Sequence, residues 1–593
     1  MAQKQKLELT WIGKDEQLKL EPRILIEDSD KSYGDKHSEN MLIYGDNLLA
    51  LRALEQDFTE KVKCIYIDPP YNTGSAFEHY DDNLEHSTWL NLMKPRLEIL
   101  KNLLRRDGFL CCHIDDSEGH YLKVVLDEIF GRGNYLTTFY IRVRYPDKTL
   151  KSDMDYHKEI EQIHIYRKEY GATPNLNKQA LTFEKFKFFV KEKTKGKEIK
   201  LGNKKVILFQ KNEFEIAEGE GSEFGLKEIW ATGSILDGNS SGRFFRDYLA
   251  GRYEQDGYGV LYKIYGIGDD RYDYRYFTGP AKVGATKGKY FQGVPNAQLK
   301  SESTIKETPI NSFYDLAGSF GNCRTEGGVG FRGGKKPEAL LEIILRHFSN
   351  EGDWVLDSFL GSGSTAAVAH KMKRKWIGIE LGEHCQTHCV PRLKGVIDGK
   401  DQGGISEATQ WKGGGGFRYY YLAPSLLKKD KYDNWVIDER YNPNMLAAAM
   451  AKHEGFRYSP DETLYWKQGQ STEKDFIFTT TNFITVEHLN KIKDEMKPGE
   501  SLLICCKSFQ EACANRYPEI TVKKIPNMLL GRCEFGKEDY SLNIVNLPAE
   551  DDAIEPEPAG KEAPAKEIKK EAKRKTKRGA VKNQSDLFAH PGS

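Results

Sequence analysis

Val62-Lys63-Cys64-Ile65-Tyr66-Ile67 runs into Asp68-Pro69-Pro70-Tyr71, and far downstream Trp354-Val355-Leu356 runs into Asp357-Ser358-Phe359-Leu360-Gly361-Ser362-Gly363-Ser364-Thr365. Each apolar run is short and bounded by turn chemistry, the pattern of a strand buried on both faces in a parallel sheet. Each ends in an acid and a loop, and open α/β sheets bind ligands at the carboxyl ends of their strands.

The flanking sequence continues this rhythm. Met41-Leu42-Ile43-Tyr44 leads into Gly45-Asp46, then Leu48, Leu51 and Leu54 at helical spacing. Leu90, Met93, Leu97, Leu100 and Leu104 share one helical face, Gly108 ends that helix, and Phe109 to Ile114 form another buried strand. Asp115-Asp116-Ser117 is positioned to cap a helix carrying Leu122, Val125, Leu126 and Ile129. After about residue 330 the pattern returns: Pro337 opens a helix with Leu340, Leu341, Ile344, Leu345 and Phe348 inward, and the strand Trp376 to Ile379 follows the glycine loop. Neither half holds enough strands for a sheet alone, so one sheet built from both ends is expected.

The chemistry lies at the strand ends. An exocyclic amine of adenine or cytosine is a poor nucleophile because its lone pair is delocalised into the ring. A site that accepts hydrogen bonds from the amine keeps electron density on nitrogen. Asp68 and the main-chain carbonyl of Pro69 offer such acceptors, the paired prolines fix the turn without a competing N–H, and Tyr71 offers a face for stacking. Alone, the tetrapeptide also reads as a strand-terminating turn. In Phe359-x-Gly361-x-Gly363 the glycines let a ligand approach the backbone, and the following helix N-terminus favours a carboxylate. Glu380 ends the next strand and reads as a ribose ligand or an exposed acid, and Asp46 reads as a ligand or a helix N-cap.

Together these segments resemble the amino-group DNA methyltransferases, in the permuted β-class order that sets the catalytic motif before the cofactor loop. The resemblance implies an α/β fold: a permuted Rossmann-like S-adenosylmethionine-dependent methyltransferase domain. It implies catalysis by Asp68, Pro69, Pro70 and Tyr71 on a base extruded from the duplex. It implies cofactor binding by Asp46, Lys336, Pro337, Asp357, Phe359, Gly361, Gly363, Thr365 and Glu380, with Asp46 at the adenine amine and Lys336-Pro337 around the methionine end. The sequence around His113-Ile114-Asp115-Asp116, the long middle insert and Met528 to Gly536 resemble the modification subunit of type III restriction systems. That implies adenine N6 in DNA as target, a homodimer, and a separate nuclease/ATPase restriction subunit. Cytosine N4 methylation, RNA methylation, and a specificity subunit that has lost catalysis and guides a partner nuclease are the alternatives.

The expected organisation is a first methyltransferase part at 1–149, a target-recognition insert at 150–325, the cofactor-loop part at 326–412, a smaller α/β domain at 417–548 and a disordered basic tail at 549–593. Residues 183–205 hold nine lysines and three glutamates among phenylalanines, and Arg243, Arg246, Arg252, Arg271 and Arg275 mix with tyrosines, chemistry suited to phosphate and base contacts. Gly413 to Gly416 read as a joint, and Phe476 to Val522 as parallel βαβ. In the tail, Gln584-Ser585-Asp586-Leu587-Phe588 resembles the peptide by which bacterial replication and repair proteins dock on the sliding clamp.

Composition adds bounds. The 593 residues imply several domains, and 88 basic against 88 acidic residues leave net charge silent on nucleic acid. No run approaches the ~20 apolar residues of a membrane span, and sparse cysteines in apolar runs suit reduced thiols in the cytoplasm. His384-Cys385-Gln386-Thr387-His388-Cys389 has no second ligand pair at zinc-finger spacing, so no metal is expected.

Overall fold

Alternate residues of the central strands serve two different cores. Ile65 and Ile67 pack into a cluster with Leu48, Leu51, Trp89, Met93 and Leu97, whereas Cys64 and Tyr66 pack with Leu340, Ile344, Val368 and Leu393. This period-two split is how a parallel sheet covered on both faces is encoded. Helices Asn47–Phe58 and Asp82–Leu103 lie on one face, and Glu338–Phe348, Ser364–Lys371 and Val390–Ile397 on the other. The structure is a computed structural model and describes residues 8–71, 82–146, 157–180, 182–231, 240–285, 287–299, 305–331 and 334–541.

The sheet has ten strands in the order Leu25–Gly34, Gly416–Leu422, Met41–Tyr44, Lys375–Glu380, Trp354–Asp357, Val62–Ile67, Leu104–Ile114, Ile160–Arg167, Tyr135–Arg142 and Phe313–Asp315. Pairing is parallel from Gly416–Leu422 through Leu104–Ile114. Strands from both ends of the chain meet at its centre. Trp354–Asp357 lies between Lys375–Glu380 and Val62–Ile67, with Leu356 opposite both Ile377 and Ile65. Asp357 and Asp68 therefore end neighbouring strands on the same edge, and the mixed α/β sheet is Rossmann-like, as expected.

Three strands lie outside the parts of the chain expected to build this sheet. Ile160–Arg167 and Phe313–Asp315 come from within 150–325, yet the first pairs antiparallel with Leu104–Ile114 and the second parallel with Tyr135–Arg142. Gly416–Leu422, beyond the glycine joint, enters the sheet between Leu25–Gly34 and Met41–Tyr44. Its Phe417 and Tyr419 bury beside Leu42 and Trp376, and left-handed φ at Gly413, Gly414 and Gly415 turns the chain into register. The helix expected after Asp115-Asp116-Ser117 begins at Gly119 without a side-chain cap, because Asp115 instead accepts from the Ser117 amide and the Lys158 ammonium.

One buried ion network ties the helices of one face together. Glu338, fully buried, accepts from Lys371 at 2.8 Å and Arg392 at 2.9 Å, and from the Ile405 amide at 3.1 Å. Lys371 also meets Asp401 at 2.7 Å, so no charge in the group stands alone.

Of the five further sheets among the described residues, three are two-stranded and two are larger. An antiparallel six-stranded sheet runs Lys227–Trp230, Lys289–Gln292, Tyr274–Thr278, Leu261–Tyr265, Lys204–Phe209 and Lys197–Leu201. A five-stranded sheet holds Asp475–Ile484, Ser501–Phe509 and Ile520–Lys524 in parallel, with helix Val486–Glu495 crossing between the first two. The connection from Ser501–Phe509 to Ile520–Lys524 holds a single helical turn, Glu511–Cys513. Among the described residues no helix is long and apolar enough to cross a membrane. Gln584 to Phe588 and the basic tail lie outside the described residues.

Candidate active site

The Val62–Ile67 strand delivers Asp68, Pro69, Pro70 and Tyr71 to the edge of the sheet. The turn is anchored from the helix behind it, because the Trp89 indole donates to the Pro70 carbonyl at 2.8 Å. Both Asp68 oxygens are engaged: the Tyr71 hydroxyl donates to Oδ1 at 2.9 Å, and the Lys336 ammonium lies 2.8 Å from Oδ2. Lys336 also sits 5.0 Å from the Tyr71 ring centroid. It thus joins the Asp68 cluster, at the mouth of the helix that Pro337 precedes.

A residue unseen in the sequence completes this cluster. Glu161, at the start of the Ile160–Arg167 strand, lies 3.2 Å from the Tyr71 hydroxyl, 2.8 Å from His113 Nε2 and 3.8 Å from Lys336. The Tyr66 hydroxyl and His113 Nδ1 are 2.8 Å apart. Burial alone would favour a neutral Glu161, but Lys336, His113 and Tyr71 hold it well below the usual carboxylate range. Burial raises both tyrosines well above their ordinary value, reinforced by Asp68, so they keep their protons. Burial likewise disfavours the Lys336 ammonium, yet Asp68 and Glu161 raise it above its ordinary value.

The glycine loop beside this cluster is braced from three sides. Asp357 accepts from the Phe359 amide at 2.9 Å and the Thr365 hydroxyl at 2.6 Å, which bends the chain straight out of the strand. Burial pushes Asp357 up to about 7, with the charges of Asp68 and Glu380 adding to it. Glu380 accepts from the Gly361 amide at 2.7 Å and the Gly382 amide at 2.9 Å. The Cys389 thiol donates to the Gly361 carbonyl at 3.1 Å, and His384 pairs with Glu380 at 2.9 Å. The His384–Cys389 segment is thus part of the loop's support. Gly361 and Gly363 both have left-handed φ, and a Cβ on Gly361 would meet nothing within 4 Å. The loop therefore presents open space at the strand ends, next to Asp68, where a ligand can approach the backbone.

Asp46 is placed differently. It is 1 % exposed, caps the Asn47–Phe58 helix through the Leu49 amide at 3.0 Å, and accepts from the Tyr540 amide at 2.9 Å. Arg96 lies 3.5 Å from it and donates to the Tyr540 carbonyl at 3.2 Å. Its oxygens are committed to the protein. Contact with the Phe359–Gly363 loop region comes instead from its neighbour, as the Asn47 amide donates to the Ser358 carbonyl at 2.8 Å.

Several basic and aromatic residues of the middle region are structural. Arg275 is buried on Asp270 and Ser241, and the buried Tyr276 donates to Glu192. Lys187 and Lys193 pair with Glu218 and Glu215 across neighbouring strands. Exposed candidates remain in Phe224, stacked under Arg271 at 4.0 Å, and Trp230, beneath Lys289 at 4.9 Å.

A family model described as DNA methylase matches residues 62–389, more than half of the chain. The chain belongs to the DNA methylase family. The matched span of this DNA methylase opens on the strand leading to Asp68 and closes at Cys389, so it holds every predicted site residue except Asp46. Among relatives, the chain is 36 % identical over 417 residues to a probable type III restriction-modification enzyme HindVI Mod subunit of Haemophilus influenzae, covering 65 % of this chain and 54 % of that one. It is 35 % identical over 170 residues to the EcoPI Mod subunit of Escherichia phage P1, covering 22 % and 26 %. It is 27 % identical over 356 residues to the type II methyltransferase M.EcaI of Enterobacter cloacae, covering 58 % and 66 %. This DNA methylase spans about half the length of the first of these relatives and about a quarter of the second.

Proposed function

We propose that the chain transfers a methyl group from S-adenosylmethionine to the N6 amine of adenine at a specific site in DNA, as the modification component of a restriction-modification system. The observation that carries this is the adjacency of two strand ends. Asp68, with its Lys336 and Tyr71 partners, stands beside the Asp357 loop on neighbouring parallel strands. S-adenosylmethionine, when bound, supplies a methyl already activated by its sulfonium. The residues that would hold it are Phe359, Gly361 and Gly363 with their braces Asp357, Thr365 and Glu380, and the open space over Gly361 fits such a group. Lys336 and Pro337 belong on the reacting side of that pocket, and Asp46 shapes its far side through Asn47 and Ser358.

In this reading Asp68 accepts a hydrogen bond from the target amine and keeps density on its nitrogen, and the Pro69 carbonyl offers a second acceptor. Tyr71 gives a stacking face to the extruded base. Much of the rate comes from holding the reacting atoms in line rather than from a covalent enzyme intermediate. The residues of 150–325 outside the main sheet would read sequence, with the exposed Phe224 and Trp230 and the half-buried Arg271 among the contacts. Similarity to Mod subunits of type III restriction-modification enzymes supports a DNA substrate and a separate restriction subunit, and the same reading includes a cytoplasmic homodimer. The proposal includes docking of Gln584 to Phe588 on a sliding clamp. Side-by-side assays on duplex DNA, single-stranded DNA and RNA with labelled cofactor test it: label in N6-methyladenine of duplex DNA is expected. Label in RNA or in cytosine alone would replace this reading with one of its rivals.

A further inference from the structure

Tyr71 has one hydroxyl proton and two carboxylates in reach, Asp68 Oδ1 at 2.9 Å and Glu161 Oε2 at 3.2 Å. Asp68 Oδ2 is meanwhile taken by Lys336. An amine arriving at Asp68 must therefore find an acceptor position that Tyr71 uses in its absence.

Glu161 is fixed where it can resolve this competition. The Tyr66 hydroxyl lies 2.8 Å from His113 Nδ1, and Nε2 of the same buried ring lies 2.8 Å from Glu161 Oε2. That same oxygen faces the Tyr71 hydroxyl. The Ile160–Arg167 strand pairs from Gln162 onward with the strand carrying His113, and Glu161 itself lies opposite Ile141 of Tyr135–Arg142, so the acid is held by backbone as well as by side chains. Its ionised state follows from Lys336 and its hydrogen-bond donors, which makes it a ready acceptor.

We propose that Glu161 is a positioning residue, the alternate acceptor to which the Tyr71 hydroxyl turns when the target amine docks on Asp68 Oδ1. This rests on the reading of Asp68 as the acceptor of that amine. No bond to hydrogen breaks; the hydroxyl only rotates about its C–O bond. One hydrogen bond replaces another, and because the two acceptors lie at 2.9 and 3.2 Å the ring keeps its place as a stacking face. Without Glu161 the hydroxyl has only Asp68 to satisfy it, and it opposes every docking event.

The test is a double-mutant cycle on the full chain, using DNA that the wild type methylates and reading kcat, KM for DNA and cofactor affinity. Glu161→Ala should lower kcat about tenfold or more while KM and cofactor affinity stay within about twofold. Glu161→Gln places a carbonyl oxygen where Oε2 stood and should keep kcat within about threefold of wild type. In a Tyr71→Phe background there is no hydroxyl to redirect, so Glu161→Ala should add less than about a twofold further loss. Should Glu161→Ala fail to fold, Glu161→Asn, too short to reach the hydroxyl, takes its place with the same expectations. An equal loss from Glu161→Ala in both backgrounds, or a Gln variant as impaired as Ala, would overturn the inference while Asp68→Ala remains inactive. An active Asp68→Ala protein would overturn the underlying reading with it.

Discussion

Lys336 places one buried ammonium between two carboxylates, 2.8 Å from Asp68 and 3.8 Å from Glu161. It is the strongest influence holding Glu161 below its ordinary value of 4.5. A carboxylate with a depressed pKa in the folded state adds stability above its unfolded value, and loses it only as pH falls through the folded one. Lys336→Met should lift the folded value back toward 4.5 and so shrink that loss. Its melting temperature should start lower at neutral pH and fall less steeply than the wild type's as pH drops below about 4.5; parallel pH profiles of the two proteins would not fit this role for Lys336.

Asp357 gives the opposite sign. Its folded value near 7 stands above an ordinary 3.8, so across that window the folded protein keeps a proton that the unfolded chain has lost. The group's contribution to stability therefore declines as pH rises from about 4 to about 7, and is flat beyond. Asparagine carries no such charge. The melting-temperature difference between Asp357→Asn and wild type should shift in the variant's favour over this range and then level off.

Gly361 separates folding from cofactor binding. A leucine there meets open space, so its cost to the fold is the left-handed backbone alone, about 1–2 kcal/mol. Gly361→Leu should stay folded by circular dichroism yet lose at least about tenfold in cofactor affinity by calorimetry, because its side chain fills the space over the loop.

The Glu338 network should be intolerant of truncation. Glu338→Ala would leave Lys371 facing only Asp401 and strip Arg392 of its carboxylate, both fully buried. A loss of about 3–5 kcal/mol in chemical denaturation is expected.

The parallel core was legible because its strands are apolar runs closed by acids and glycines, as in Val62–Ile67 and Trp354–Asp357. Ile160–Arg167 escaped because Glu161, Gln162, His164 and Arg167 make it read as a half-polar hairpin, although it lies in the same sheet. The one available signal for Glu161 was an acid at the start of a run that also holds Ile160, Ile163, Ile165 and Tyr166. Its partners His113 and Lys336 lie on other strands and loops, and no local pattern links them. The two readings of Asp46 could not be separated in sequence because the Tyr540 segment that completes its shell comes from the far end of the described chain. No metal was expected at Cys389 and His384, but the sequence offered no role for them, and only the fold shows them turned toward Gly361 and Glu380.

Nucleoside analysis of duplex DNA after incubation with S-adenosylmethionine and either wild type or Asp68→Ala protein tests the central claim most directly, with cofactor binding measured on both. N6-methyladenine should appear with the wild type and fall by at least about a hundredfold with Asp68→Ala, at unchanged cofactor affinity. Methylation of adenine by the Asp68→Ala protein at a comparable rate would contradict the account.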